Sequence, residues 1–320
     1  VAGPLALLGV PTSAGTHGPG QEKAPGALRA AGLAGALEAA GVAVQDEGDL
    51  PVARYRAAVA DPRQRDLDGV AAVAGRVADR VAELLDRGMT PLVLGGDCTI
   101  TLGVVAGFAR HGDDLGLLYF DGDADLSTPA TTGSGVLDSM VVAHLLGEGA
   151  PALARLGPKV PLLAADRLVL FGFDDPDDLG EAQQALLARH GPTAWPTSRI
   201  REVAGGPRAA AAAALGDLEA RAGTVVVHFD VDVVDTGDLP LANFPHFNQG
   251  LTLADAVACL EVFCGSAKLG GVVVTEVNPD HDPDGTQLGR LVDGLAAALA
   301  RRTPASRPIA NESFVIWPDG

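Results

Sequence analysis

Short apolar runs alternate with segments of helical period along most of the chain. Residues 5–10, 91–94, 115–120, 167–171, 224–229 and 271–277 are such runs, each bounded by Gly, Pro or Asp. Near-continuous apolar runs of this length suit strands covered on both faces. Between them, Val70, Val73, Val77, Val81 and Leu84 fall on one helical face, and Gly88 marks its C-terminal stop. The alanine run 209–214 is strongly helix-forming and is closed by Gly223 before the next strand. This alternation predicts an α/β protein of three αβα layers, with a central, mostly parallel sheet and helices on both faces. No repeat or linker divides residues 1–320, so a single domain is expected. The Gly/Pro-rich stretch 236–250 lies between a strand and a helix and reads as a functional loop.

Composition narrows the classes of function. The 320 residues can bury a large core, and 47% are hydrophobic, yet no apolar run approaches the roughly 18 residues of a membrane span. Val1-Ala2-Gly3-Pro4-Leu5 lacks the basic and apolar regions of a secretory leader. Acidic residues number 41 against 23 basic ones, a net charge of -18 that repels phosphate backbones and disfavours nucleic acid as a partner. Cys98, Cys259 and Cys264 are too few and too scattered for a disulfide framework, which fits a reducing cytoplasm.

The acids gather where chemistry is expected. Ligands of parallel sheets collect outside the carboxyl ends of the strands. Asp97 and Cys98 follow one apolar run, Asp121, Asp123 and Asp125 another, Asp230 and Asp232 a third, and Glu276 ends the last. Acids two residues apart in extended backbone project to one side. Five carboxylates meeting at one sheet edge would repel one another unless some are protonated or cations sit among them. An oxygen-rich site suits Mn²⁺, Mg²⁺ or Ca²⁺. The alternative is that each acid separately caps a helix or a turn.

The motifs around these acids resemble those of the ureohydrolase family of arginases, agmatinases and formiminoglutamases. Gly95-Gly96-Asp97-Cys98-Thr99 is similar to the family's GGDHS, and Asp121-Gly122-Asp123-Ala124-Asp125 to its DAHxD. Phe229-Asp230-Val231-Asp232 is similar to SFDxD, and Glu276-Val277-Asn278-Pro279 to EVNP. Gly9-Val10-Pro11 and Ala24-Pro25-Gly26-Ala27-Leu28-Arg29 match the family's opening. The resemblance implies the arginase-like fold, with an eight-stranded sheet, and assembly into trimers or hexamers. It also implies two Mn²⁺ ions that share a hydroxide, which attacks a guanidino or amidine carbon and breaks a C–N bond. Carried onto this chain, one ion would be held by Cys98, Asp121, Asp125 and Asp230. The other would be held by Asp121, Asp123, Asp230 and Asp232. Glu276 would pair with the substrate's guanidinium, with Ser127, Ser134 and Asp177 as further substrate contacts.

The chain departs from the family at the ligands themselves. Positions 98 and 123 are histidine in the family and Cys98 and Asp123 here. Five aspartates and a thiolate overbalance two divalent ions, which should raise the pKa of a shared water. Cys98 is a soft ligand that Zn²⁺ or Fe²⁺ accepts more readily than Mn²⁺. The family's proton-shuttling histidine is replaced by Asp138, which could move protons if its pKa is raised. Val136 and Ser127 replace polar contacts to L-arginine, so a different guanidino substrate is expected. Of the histidines that could compensate, His228 lies two positions before Asp230 and is the best placed. His246 and His281 read as packed or solvated side chains, and Asp280 to Gly285 as a polar turn. Two other readings stay open: a repurposed enzyme without a working metal pair, with Cys98 as nucleophile, and a silent scaffold.

Overall fold

The computed structural model describes residues 3–302 apart from 58 and 113. Val1 and Ala2, on which the reading of the N-terminus rests, and residues 303–320 at the far bound of the expected domain lie outside the described residues. Eight strands form one sheet: β1 Leu5–Gly9, β2 Val44–Asp49, β3 Thr90–Leu94, β4 Leu115–Phe120, β5 Leu168–Phe171, β6 Thr193–Trp195, β7 Thr224–Asp230 and β8 Leu269–Thr275. Their order is β2-β1-β3-β8-β7-β4-β5-β6, and every pair is parallel. The sheet is thus wholly parallel, where the sequence predicted mostly so.

The apolar runs become strands because both faces of the sheet are covered. Leu5, Leu7, Leu92, Leu94, Leu118 and Phe120 point into one core, beneath helices Ala24–Ala30, Leu33–Ala39, Gly206–Glu219, Leu253–Cys264 and Thr286–Leu299. Ala6, Leu8, Val93, Leu117 and Tyr119 alternate into the other, beneath helices Leu67–Asp86, Ile100–Ala109 and Val141–Leu145. Each fully buried Val or Leu contributes roughly 1.5–3 kcal/mol, so a run apolar on both sides is stable only inside such a sandwich.

The predicted valine face of Leu67–Asp86 is buried, and the helix closes with the Gly88 N–H on the Leu85 carbonyl. The alanine run lies inside Gly206–Glu219, as its helix propensity predicts. Two strands carry no apolar run. β2 is a polar, largely exposed edge (Val-Gln-Asp-Glu-Gly-Asp), and β6 is three residues long at the opposite edge. No helix among the described residues is long and apolar enough to cross a membrane.

This topology fixes where a site can lie. β3, β8, β7 and β4 are consecutive neighbours at the middle of the sheet. Their carboxyl ends run directly into the segments that carry Cys98, Glu276, Asp230 and Asp121.

Candidate metal centre

The turn after β3 is built to present Cys98. Gly96 lies so close to the loop after β1 that a Cβ would fall 2.1 Å from the Thr12 carbonyl oxygen. Asp97, wholly buried, accepts hydrogen bonds from Gly15 N at 3.1 Å, Thr99 N at 3.1 Å and Thr12 Oγ1 at 3.3 Å, and from the Thr99 hydroxyl. Asp97 is thereby a structural anchor, and the next side chain points to the middle of the sheet edge. The Cys98 N–H donates to Glu276 Oε1 at 3.1 Å, while Gln21 Nε2 donates to Glu276 Oε2 at 2.9 Å. Glu276 sits at φ 62 and Asp125 at φ 47, left-handed conformations that are uncommon outside glycine and cluster at functional sites.

Around Cys98 a first group of donors converges. Its Sγ lies 2.7 Å from Asp230 Oδ2, 3.6 Å from His228 Nε2 and 3.8 Å from Asp121 Oδ2. His228 Nε2 is 3.3 Å from Asp121 Oδ2. Its Nδ1 is 2.7 Å from Thr101 Oγ1, and its ring stacks on Tyr119 at 4.0 Å between centroids. Ligand atoms of Cys98, Asp121, His228 and Asp230 all lie within 4.8 Å of one another. A second group sits beside it. His246 Nε2 lies 3.5 Å from Asp123 Oδ2 and 3.7 Å from Asp232 Oδ2. Backbone amides orient these acids: Gly122 N to Asp232 Oδ1 at 2.9 Å, Asp123 N to Asp121 Oδ1 at 2.7 Å, and Asp232 N to Asp230 Oδ1 at 2.8 Å.

Burial first, and then the neighbouring carboxylates, hold Asp121 and Asp230 well above the ordinary aspartate range. Asp125 is raised by burial and by Asp123, although Tyr119 Oη donates to its Oδ2 at 2.5 Å. Burial, Glu276 and Asp125 raise Asp138 in the same direction. Burial and Asp97 push Glu276 up to about 8 against the bonds from Gln21 and Cys98. Burial alone depresses His228 to about 3, so it is a neutral imidazole with a lone pair to share. Burial also works against the charge on His246, but Asp123 and Asp232 outweigh it and raise the ring to about 10. The Cys98 thiol is pushed well up by burial and by Asp230 and Asp121. That setting opposes the free thiolate a cysteine nucleophile needs.

Most of the expected site residues meet in one cleft of about 310 Å³, lined by Cys98, Asp121, Asp123, Asp125, Ser127, Ser134, Asp138, Asp230, Asp232 and Glu276. Two of the expected residues stand outside the two donor groups. Asp125 lines the cleft outside both donor groups, with its Oδ2 accepting a hydrogen bond from Tyr119 Oη. Asp177 is exposed on the turn Pro176–Asp178 and does not reach the cleft, whose wall there is made by Leu179 and Gln183. Gln183 Nε2 donates to Ser127 Oγ at 2.9 Å. Val136 is buried and likewise outside the cleft wall. His246, expected to be packed or solvated, faces the acids instead. Its loop is pinned by paired bonds with Thr236, a long-range closure that leaves no periodic signal in sequence. His281 stays apart, 3.4 Å from Asn278 Nδ2.

The class defined by fold and site is an α/β protein with carboxylates, a thiol and imidazoles gathered at the carboxyl edge of a parallel sheet. The model of the Arginase family matches residues 4–302, and the chain belongs to that family. Arginase from Bacillus caldovelox is 30% identical over 281 residues, covering 87% of this chain and 92% of its own. Human arginase-1 is 29% identical over 302 residues, covering 92% and 90%. The crystal structure of the Bacillus caldovelox arginase superposes with a TM-score of 0.83 at 28% identity, over 93% of this chain and 98% of that one.

Proposed function

We propose that the chain is a divalent-metal-dependent hydrolase that breaks a C–N bond of a small guanidino or amidine substrate. The observation that carries this reading is the convergence of Cys98, Asp121, Asp123, Asp230, Asp232 and Glu276 on one cleft from the ends of four adjacent strands. The donor set fits the group: clustered acids, a neutral imidazole at His228 and a buried imidazole at His246 facing Asp123 and Asp232 are what divalent ions coordinate. Zn²⁺ or Fe²⁺ suits the sulfur-containing group, and Mn²⁺ the oxygen-rich one. Bound there, the metal supplies Lewis acidity and an acidified water at neutral pH.

The chain's own residues do the rest. Glu276 accepts hydrogen bonds from a guanidinium or amidinium edge and fixes its plane. No lysine or arginine lines the cleft among the described residues, so its field favours a cationic substrate. Water oxygen joins the central carbon, the C–N bond to the substituted nitrogen breaks, and an amine leaves with urea or an amide as the other product. Asp125 and Asp138 are the carboxyls placed to carry the water's protons onto the leaving amine. Ser127, Ser134 and Gln183 offer hydroxyl and amide contacts to the far end of the substrate, beside the aromatic rim of Phe244 and His17.

The test is a screen of small linear guanidino and amidine compounds with protein loaded with Mn²⁺, Zn²⁺ or Fe²⁺, reading urea and ammonia. Turnover that disappears with chelator and with Glu276→Gln supports the reading. Turnover that survives chelation but is lost in Cys98→Ala would replace it with a thiol mechanism, and no turnover with any compound and metal would refute it.

A further inference from the structure

The two positions at which the family resemblance places metal-binding histidines hold Cys98 and Asp123, yet two imidazoles reach the centre from elsewhere. We propose that this chain has relocated its histidine ligands. His228 on β7 completes a Cys98–Asp121–Asp230 position suited to Zn²⁺, and His246 from the loop 236–250 completes an Asp123–Asp232 position beside it. This rests on the reading of the cleft as a metal centre and deepens it, because it names donors that the family motifs do not contain.

Distances carry the first half. A tetrahedral zinc bonds sulfur at about 2.3 Å and nitrogen or oxygen at about 2.0 Å, which sets sulfur–nitrogen edges of about 3.5 Å and nitrogen–oxygen edges of about 3.3 Å. His228 Nε2 stands 3.6 Å from Cys98 Sγ and 3.3 Å from Asp121 Oδ2, so two edges are already in place. Only Asp230 Oδ2, held at 2.7 Å by the thiol proton, must open when that proton leaves. The ring is also held as a ligand needs to be. Nδ1 is 2.7 Å from Thr101 Oγ1 and the face is stacked on Tyr119, which fixes its plane and leaves Nε2 toward the group. His228 is fully buried, so no water competes for that lone pair.

The second half rests on an independent observation. His246 is 4% exposed, and its Nε2 points between Asp123 Oδ2 at 3.5 Å and Asp232 Oδ2 at 3.7 Å, near enough for an ion pair and too far for a good hydrogen bond to either. A buried imidazole facing two carboxylates at these distances leaves room for a cation among the three donors. Gly122 supplies the space for it. A Cβ built there would lie 3.1 Å from His246 Nε2 and 3.0 Å from Asp232 Oδ1, tight enough that those neighbours would have to give by a few tenths of an ångström. The similar family motif has alanine at this place, so the loss of a methyl group and the arrival of an imidazole coincide.

The relocation also changes the charge balance. With Asp125 bound to Tyr119 and outside both groups, the first position offers a thiolate and two carboxylates and the second two carboxylates. Two divalent ions then face five negative ligands with two neutral imidazoles, a smaller surplus than six anions without them.

The experiment strips the full-length protein with chelator and titrates it with Zn²⁺ or Co²⁺ alone, reading stoichiometry and absorption. Wild type is expected to bind two ions and, with Co²⁺, to show the near-ultraviolet band of a cobalt–thiolate bond. Cys98→Ser removes that band. His246→Ala loses one ion and keeps the band. His228→Ala weakens the band-giving site by more than about 100-fold, beyond what loss of a ligand's hydrogen-bonding partner costs. Gly122→Ala leaves every donor in place and weakens only the other site. Circular dichroism of the metal-free variants checks their fold, and His228→Gln takes over that arm if the alanine variant does not fold. Wild type that binds neither ion, or His228 and His246 variants that bind both ions as tightly as wild type, would overturn the relocation. Turnover is not read, so the two readings can fail separately. Urea release by a chain whose histidine variants keep both ions sinks only the relocation, and ion binding as described without turnover sinks only the hydrolase.

Discussion

The same side chain lives two different lives in this molecule. At the edge of β2, acids are neutralised by arginine. Arg29 reaches Asp46 at 2.8 Å and Asp49 at 2.5 Å, and Arg80 and Arg87 close on Glu47 at 2.5 Å and 2.7 Å. Arg29 holds Asp46 below its usual range, and Arg87 and Arg80 do the same for Glu47 against its burial. At the ends of β3, β8, β7 and β4 no arginine lines the cleft among the described residues. Asp121, Asp125, Asp230 and Glu276 are buried against one another with Asp138 half-buried beside them, and every one of them is pushed upward. The chain therefore has the means to pair its carboxylates and does not use them in the cleft. A group of acids left to repel one another inside a fold stores a need for cations, and that need is what makes the region a functional site rather than a surface.

The contrast can be broken hardest by taking the cations away. Chelator should abolish turnover in the metal-loaded protein and leave the Arg29 cluster untouched, as activity and melting curves would show. Asp230→Asn should cut kcat/KM by at least about 100-fold, yet raise the melting temperature of the chelated protein. Neutralising one member of a crowded buried set of acids relieves their mutual repulsion and the cost of desolvating its charge. A melting temperature that falls instead would mean the acids already form a satisfied network.

Next in size is the pH dependence of the chelated protein. Burial and Asp97 push Glu276 up to about 8 in the folded protein from the ordinary 4.5 of the unfolded chain, so the unfolded chain gives up its proton first. Its contribution to stability is complete below pH 4.5 and drains away as pH rises toward 8. The metal-free protein should accordingly melt at lower temperature at pH 8 than at pH 5, and the slope should flatten in Glu276→Gln. Smaller again is Tyr119→Phe, which removes the bond to Asp125 Oδ2. It should cost about 1 kcal/mol of stability, with a several-fold loss of kcat that a pH–rate profile would resolve. Smallest is Arg29→Gln at the paired surface, expected to shift stability by less than about 1 kcal/mol in urea titration and to leave kinetics unchanged.

The legible parts of the sequence are those with a local physical cause. The six apolar runs that predicted strands are the inner ones and their near neighbours, because a strand covered on both faces must be apolar throughout. β2 and β6 were illegible for the same reason: an edge strand half in water carries Gln, Asp and Glu, and three residues cannot show a period. Cys98, Asp121, Asp123, Asp230, Asp232 and Glu276 could be picked out because each directly follows a strand, where the topology itself brings them together. Asp177 had no such anchor, and the structure puts it on an exposed turn. His228 was visible through its two-residue spacing from Asp230. His246 was not, since its position depends on Thr236 bonds and on the space beside Gly122, neither of which leaves a mark on spacing.

The account turns on whether those acids hold cations. Element analysis of the purified protein, equilibrated with Zn²⁺ and Mn²⁺ and freed of loose ions by gel filtration, asks that most directly. It should find two divalent ions per chain, with the ion of the Cys98 group lost in Asp230→Asn. A wild-type chain that emerges with none, and melts at the same temperature with and without them, would contradict it.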